Sequence, residues 1–217
     1  MKPTLTVKSL KKIAAQFAAI ESRHGEPEMY GVTDGKAVGT YLEHKFRTYL
    51  AERYRFKAGN SAMGIDLPAL HVDMKTTSIA QPQSSCPFKS ARQKVYGLGY
   101  ALLVFVYDKS DDHRAKTARL DIKHVIFVDA DRTADYQMTT GLEKILDNDG
   151  NKEDLVAFLN DKLLPVDEIG AERLAEEIMT NKPKIGYLTI SNALQWRLQY
   201  GRVIDKAGTV DGVHRVR

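Results

Sequence analysis

The sequence predicts an α/β fold with an α-rich C-terminal third, and three observations predict it. The element order runs helices, strands, helices. Tyr100 to Tyr107 (YALLVFVY) is an unbroken apolar run of strand length, as expected of a strand covered on both faces. The chain of 217 residues, 43% hydrophobic and 28% charged, is long enough to bury a core and too apolar to be globally disordered.

The elements follow in order. Residues 6–23 read as a helix, because Leu10, Ile13, Ala14, Phe17 and Ile20 recur at helical spacing with lysines on the other face. Gly, Pro and Asp mark 25–35 as a loop. A second helix over 36–54 carries the stripe Val38, Tyr41, Leu42, Phe46, Tyr49 and Leu50. After a turn at 59–64, residues 70–77 read as a strand and 79–86 as a polar loop. Pro87 can open a short helix that runs to Gly97. The 100–107 strand, a polar turn over 108–116 and a strand over 118–128 come next. Helices are expected near 134–147, 152–163, 170–180 and 191–200; in the last, Trp196 falls on an apolar face and reads as core. Two β-like runs, 202–205 and 212–216, surround a Gly-containing turn. The reading divides the chain into a core, 1–165, and a C-terminal subdomain, 166–217. Helix, helix and two-stranded wing is similar to a winged helix, which would lay Arg197, Gln199 and Arg202 near DNA. The same tail also fits a subdomain that simply packs on the core.

Composition narrows the function classes. With a single cysteine, Cys86, no intrachain disulfide forms and a thiolate zinc site is excluded. No apolar run reaches the roughly 18 residues of a spanning helix, and the start lacks the apolar stretch of a secretory signal. A soluble, cytoplasmic protein with no membrane partner is expected. Residues 1–129 hold 20 Lys and Arg against 13 Asp and Glu, 130–181 hold 5 against 13, and 182–217 hold 7 against 2. A polyanion would therefore be met by the two ends, with the acidic middle turned away. Acidic helices falling together by chance would give the same numbers. No P-loop is present, and no histidine pair shows metal-ligand spacing with a third ligand.

The chemistry concentrates in Gly64-Ile65-Asp66-Leu67-Pro68-Ala69-Leu70-His71-Val72-Asp73-Met74-Lys75-Thr76-Thr77. Side chains alternate across a strand, so Leu70, Val72 and Met74 point into a core while His71, Asp73, Lys75 and Thr77 point the other way. Asp and Lys are poor strand formers. Asp66 follows a glycine turn and can swing toward Asp73. Two converging carboxylates repel unless a cation lies between them, and Mg2+ takes one or two carboxylates plus phosphate oxygens and waters. A lysine beside that ion can serve the attacking water or steady the charge on a phosphate under attack. A surface strand with an Asp73–Lys75 ion pair would fit the same letters.

Asp66 with Asp73-Met74-Lys75 resembles the signature of the PD-(D/E)xK nucleases, with Ile65 where the nominal motif has proline. The stretch from Asp66 to Thr76 also resembles that of the methyl-directed mismatch-repair nicking endonuclease and its restriction-enzyme relatives. The resemblance implies a restriction-endonuclease-like core, a central mixed β-sheet flanked by helices. It implies that Asp66 and Asp73 hold Mg2+ and that Lys75 serves the water. An extra acid often comes from a preceding helix, and Glu43 matches that place. On a helical wheel Glu43 lies beside Leu50, at the edge of the apolar stripe; Glu52 is the substitute.

Downstream, Gln81, Gln83, Ser84, Ser85, Lys89, Arg92, Gln93 and Lys94 form a polar, basic stretch whose amides, hydroxyls and cations can contact bases and phosphates. Gln93 and Lys94 can alternatively support the metal site, and the whole stretch also fits a solvated surface. His71, on the motif face, can touch substrate, although a structural role fits it better. The expected function is that of a Mg2+-dependent, sequence-specific double-stranded DNA endonuclease of type II restriction character, leaving 5′-phosphate and 3′-hydroxyl ends. A homodimer is expected, because one site cuts one strand. A monomeric mismatch-repair nicking enzyme and a non-catalytic DNA-binding regulator are the alternatives.

Overall fold

The computed structural model describes residues 2–59, 64–87, 89–191 and 196–217. Thr6 opens α1 (Val7–Glu21) with a capping box, its hydroxyl accepting from the Ser9 N–H while Ser9 Oγ accepts from the Thr6 N–H. The expected stripe is buried through Phe17, but Ile20 is exposed. Glu21 takes the buried place at that end instead, its carboxylate held by Lys45 at 2.9 Å. Asp34 caps α2 (Gly35–Arg53), which buries Val38, Leu42, Phe46 and Leu50.

Between and after these helices come β1 (Gly25–Glu26), β2 (Val72–Ser78), β3 (Gln83–Cys86), α3 (Gln93–Tyr96), β4 (Ala101–Asp112) and β5 (Thr117–Val128). Then follow α4 (Tyr136–Asp147), α5 (Lys152–Asp161), α6 (Glu168–Thr180), β6 (Thr189–Ile190), β7 (Trp196–Gln199), α7 (Gly201–Lys206) and β8 (Val213–Arg215). The main sheet is mixed and runs β1-β5-β4-β2, with β8 also on β5. β2 is its edge and runs parallel to β4; the other pairs are antiparallel. A second, antiparallel sheet runs β3-β7-β6.

β4 joins the layers, as its unbroken apolar run requires. Leu103 and Phe105 pack in one core with Phe17 of α1, Leu42 and Phe46 of α2, and Val72 and Met74 of β2. Leu102, Val104 and Val106 face the other way, onto Cys86, Ile190, Trp196, Leu198 and Tyr200 of the second sheet and its margin. Helices α4, α5 and α6 bury a separate core around Leu142, Leu155, Leu159 and Ile178. Their outer faces carry the acids counted in the sequence, several paired with lysines such as Lys152 and Lys182.

Several local expectations are corrected. Residues 83–86 are a strand rather than loop, because they pair residue for residue with β7, more than a hundred positions away. β4 and β5 extend through the expected polar turn until only 113–116 remain, since Asp112 pairs with Thr117. The helix expected after Pro87 forms only at Gln93–Tyr96. The winged-helix tail does not form. Residues 196–199 are a strand, in which Trp196 and Leu198 are buried while Arg197 and Gln199 alternate outward. Residues 202–205 lie in α7, with Val203 buried and the Ile204 N–H bonded to the Tyr200 carbonyl. The last strand joins the main sheet, β8 pairing with β5. Residues 192–195 of the expected helix lie outside the described residues.

Candidate active site

The loop into the motif passes Gly64, whose φ of 63° a glycine adopts without strain. Leu67 and Val72 then exchange backbone hydrogen bonds of 3.0 and 3.3 Å around the short helical turn Pro68–Leu70. His71 closes that turn in a left-handed conformation, φ 52°, and is exposed, which fits a structural role. This tight reversal carries Asp66 back onto β2. Its Oδ2 accepts from the Met74 N–H at 3.0 Å, and its Oδ1 accepts from Arg47 of α2 at 2.7 Å.

β2 pairs with β4 in a register that sets Asp73 beside Leu102 and Lys75 beside Val104. Both side chains therefore lie on the face that the second sheet covers, and Asp73 is 5% exposed. Lys75 Nζ lies 2.8 Å from Asp73 Oδ2. The Asp66 carboxylate lies close enough for its charge to act on Asp73. Burial raises the Asp73 pKa; Lys75 opposes that shift and Asp66 adds to it, and burial prevails. Burial pulls Lys75 down, but the Asp73 carboxylate outweighs it and holds the ammonium above its usual range. Glu43 joins the same field. Burial first, then the charge of Asp66, push it up to about 7, against the pull of Lys75. Glu52 does not join: it is exposed and paired with Arg53.

The donor set suits a hard divalent ion. Two neighbouring carboxylates that repel each other, beside a third raised carboxyl, would be relieved by a cation. All three are oxygen donors of the kind Mg2+ takes. Among the described residues no group of three or more His, Cys, Asp or Glu forms a ready cage.

A cleft of about 1160 Å³ opens from Glu43. Its walls include Thr76, Gln81, Gln83, Ser84, Ser85 and Arg197, so two distant segments singled out in the sequence meet in one groove. Gln81 is exposed in the turn between β2 and β3, a turn built on Thr77 Oγ1, which bonds the backbone of both Gln81 and Gln83. Lys89 is exposed, and a Cβ on Gly64 would lie 3.8 Å from its Nζ, placing the ammonium by the turn that leads to Asp66. Gln199 is exposed on β7.

Other expected contacts have partners within the protein. Arg92 is forked onto Glu177 of α6, with 3.0 Å bonds from Nε, and lies over Tyr96. Arg202 donates to Thr189 at 3.1 Å and stacks 3.9 Å from the Tyr136 ring centre. Lys94 is buried, 5.9 Å from the Trp196 ring centre, and burial lowers its pKa against the pull of Asp135. Gln93 donates to the Leu98 carbonyl. The Cys86 thiol is buried and pushed up by that burial, so it is no nucleophile.

Sequence reasoning passed over Arg47. The signal was available: it follows Glu43 by four residues on one helix, which sets the two side chains on one face.

A family model described as "Type II restriction enzyme NspV" matches residues 4–215. The chain is 65% identical over 209 residues to the curated "Type II restriction enzyme NspV" of Nostoc sp. (strain ATCC 29411 / PCC 7524), covering 96% of this chain and 95% of that protein. No solved structure matches the chain.

Proposed function

The chain belongs to the NspV family of type II restriction enzymes and is a sequence-specific restriction endonuclease; on that premise we propose that Asp66, Asp73, Lys75 and Glu43 form its active site. The observation that carries this assignment is the convergence of the four side chains on one field, with Asp73 and Lys75 2.8 Å apart and Glu43 on the wall of the cleft.

Enzymes of this type generally need a divalent metal, and we assign Mg2+ to Asp66 and Asp73. When bound, the ion supplies neutralising charge at the phosphate and a more acidic water. The protein's own residues do the rest. Arg47 and the Met74 N–H fix both oxygens of Asp66, so its carboxylate is aimed before any ligand arrives. Lys75, held protonated by Asp73, donates: it orients the attacking water and offsets charge that develops on the phosphate oxygens. Glu43, raised to about 7, can take up a proton near neutral pH. The surrounding apolar layer under the second sheet strengthens each of these interactions.

Duplex DNA lies along the cleft, contacted by Gln81, Gln83, Ser85, Lys89, Arg197 and Gln199, whereas the Ser84 hydroxyl is held by Tyr200. Cutting both strands takes two sites, so the working unit is a homodimer. The substrate places it in the cytoplasm. The test is plasmid DNA with Mg2+, with fragment ends mapped. Cleavage at fixed positions with 5′-phosphate and 3′-hydroxyl ends is expected, and Asp73→Asn should abolish it while the fold persists. An Asp73→Asn protein that cuts at the normal rate refutes the assignment.

A further inference from the structure

We propose that the outward face of the β3–β7 ladder is the base-reading surface of this enzyme, with Arg197 reading a guanine in the major groove. The inference rests on the function assigned above and goes beyond it, separating the side chains that read sequence from those that only hold DNA.

The register carries the argument. Ser85 pairs with Arg197 and Gln83 with Gln199, while Ser84 pairs with Leu198 and Cys86 with Trp196. Directly opposed residues of an antiparallel pair share a face. One face is therefore Cys86, Trp196, Leu198 and Ser84, and it turns inward; Ser84 is tied there to the Tyr200 hydroxyl at 2.6 Å. The other face is Gln83, Ser85, Arg197 and Gln199, with an amide, a hydroxyl, a guanidinium and a second amide. Each of these can bond a base edge, and none is apolar or acidic. Ser85, Arg197 and Gln199 are exposed, and Gln83 is half-buried.

The dimensions suit the groove. A two-stranded β-ribbon fits the major groove of B-DNA. The two cross-strand pairs are two residues apart, or about 6.8 Å at the rise of an antiparallel strand, which is about two base-pair steps of 3.4 Å. The ribbon also lines the cleft that starts at Glu43, so bases read here are held a short way from the bond to be cut.

The arginines divide the labour. Arg92 is occupied by Glu177 and Arg202 by Thr189 and the Tyr136 ring. Among the described residues Arg197 has no acidic partner, and its guanidinium is offered to solvent. A free guanidinium on a groove-reading ribbon meets the O6 and N7 of guanine, the commonest specific contact.

The experiment is equilibrium binding in Ca2+ by the full chain. The probes are a duplex carrying the mapped cleavage site and one with that site scrambled, each over a range of salt. Arg197→Ala should weaken binding to the site duplex roughly 5- to 150-fold and leave the scrambled duplex and its salt slope unchanged. Replacing the guanines of the site one at a time with 7-deazaguanine should weaken the wild type at one position and leave Arg197→Ala indifferent there. If Arg197→Ala weakens both duplexes alike and lowers the salt slope by about 0.9, Arg197 is a phosphate contact and the inference fails. It also fails if the variant keeps full discrimination or the mapped site has no guanine. Wild-type protein without any site preference would overturn the assigned function itself, and this inference with it.

Discussion

Replacing Glu43 with glutamine should stabilise the metal-free protein at pH 8 and do almost nothing at pH 4. Glu43 is driven from its ordinary 4.5 to about 7 by burial and by the charge of Asp66. Between those two pH values the unfolded chain has released the proton and the native chain still holds it. The unfolded state then binds fewer protons, so stability falls as pH rises through that window. One pKa unit corresponds to about 1.36 kcal/mol, which sets a ceiling of about 3 kcal/mol by pH 8. Glu43 keeps some solvent contact, so screening lowers the expected figure to about 1–2 kcal/mol. Glutamine has the same shape without the charge and removes that cost. For a chain of this size the gain is roughly 2–8 °C in Tm. At pH 4, below the ordinary value of 4.5, the position is mostly neutral in both the native and the unfolded chain, and the Tm values of wild type and variant should agree within about 1 °C. The measurement is calorimetry in EDTA at the two pH values. No gain at pH 8, or an equal gain at both, would show that Glu43 does not share a field with Asp66 and Asp73.

Three further outcomes follow from the geometry. Lys75→Ala should keep DNA binding and lower single-turnover cleavage of a mapped site by about 10²–10⁴-fold; a rate within about threefold of wild type would sink the mechanism. Asp135, 5% exposed, caps α4 by accepting from the Met138 N–H at 2.9 Å and also holds the Ile190 N–H of β6 at 2.7 Å. Asp135→Ala should therefore cost about 2–4 kcal/mol by urea denaturation, whereas a loss below about 0.5 kcal/mol would show the bonds to be idle. Reversing Glu172 and Glu176 on α6 to lysine should leave the salt slope of DNA binding flat, because the acidic helices face away; a steeper slope would put them against the DNA.

The proposed catalytic cluster could be picked out because it is local. Asp66, Asp73 and Lys75 lie within ten residues, and alternation along β2 settles the faces of Asp73 and Lys75. The helices near the start were legible for the same reason: their stripes and caps are written within one or two turns. The second sheet was not. Nothing within Gln83–Cys86 alternates between apolar and polar, and its partner is a distant strand, so the segment reads as loop until both are paired. Trp196-Arg197-Leu198-Gln199 alternates at period two, a strand signal hidden inside the longer span 191–200 that reads as helix, and Trp196 and Leu198 are buried under β4 accordingly. Arg92 and Arg202 read as DNA contacts because their acceptors, Glu177 and Thr189, come from other elements that no local pattern reveals.

The pairing of β3 with β7 has an evolutionary consequence. A side-chain period of two means that a single-residue slip exchanges the faces of the whole ribbon. One residue gained or lost in the turn between β2 and β3 would turn Ser84 and Cys86 toward the groove and bury Gln83 and Ser85. The same turn hangs on Thr77, on the strand that carries Asp73 and Lys75, so the slip would also pull on the scissile machinery. On the reading proposed for this ribbon, drift toward a new target sequence is confined to substitutions at fixed length, spread over two segments that lie far apart along the chain.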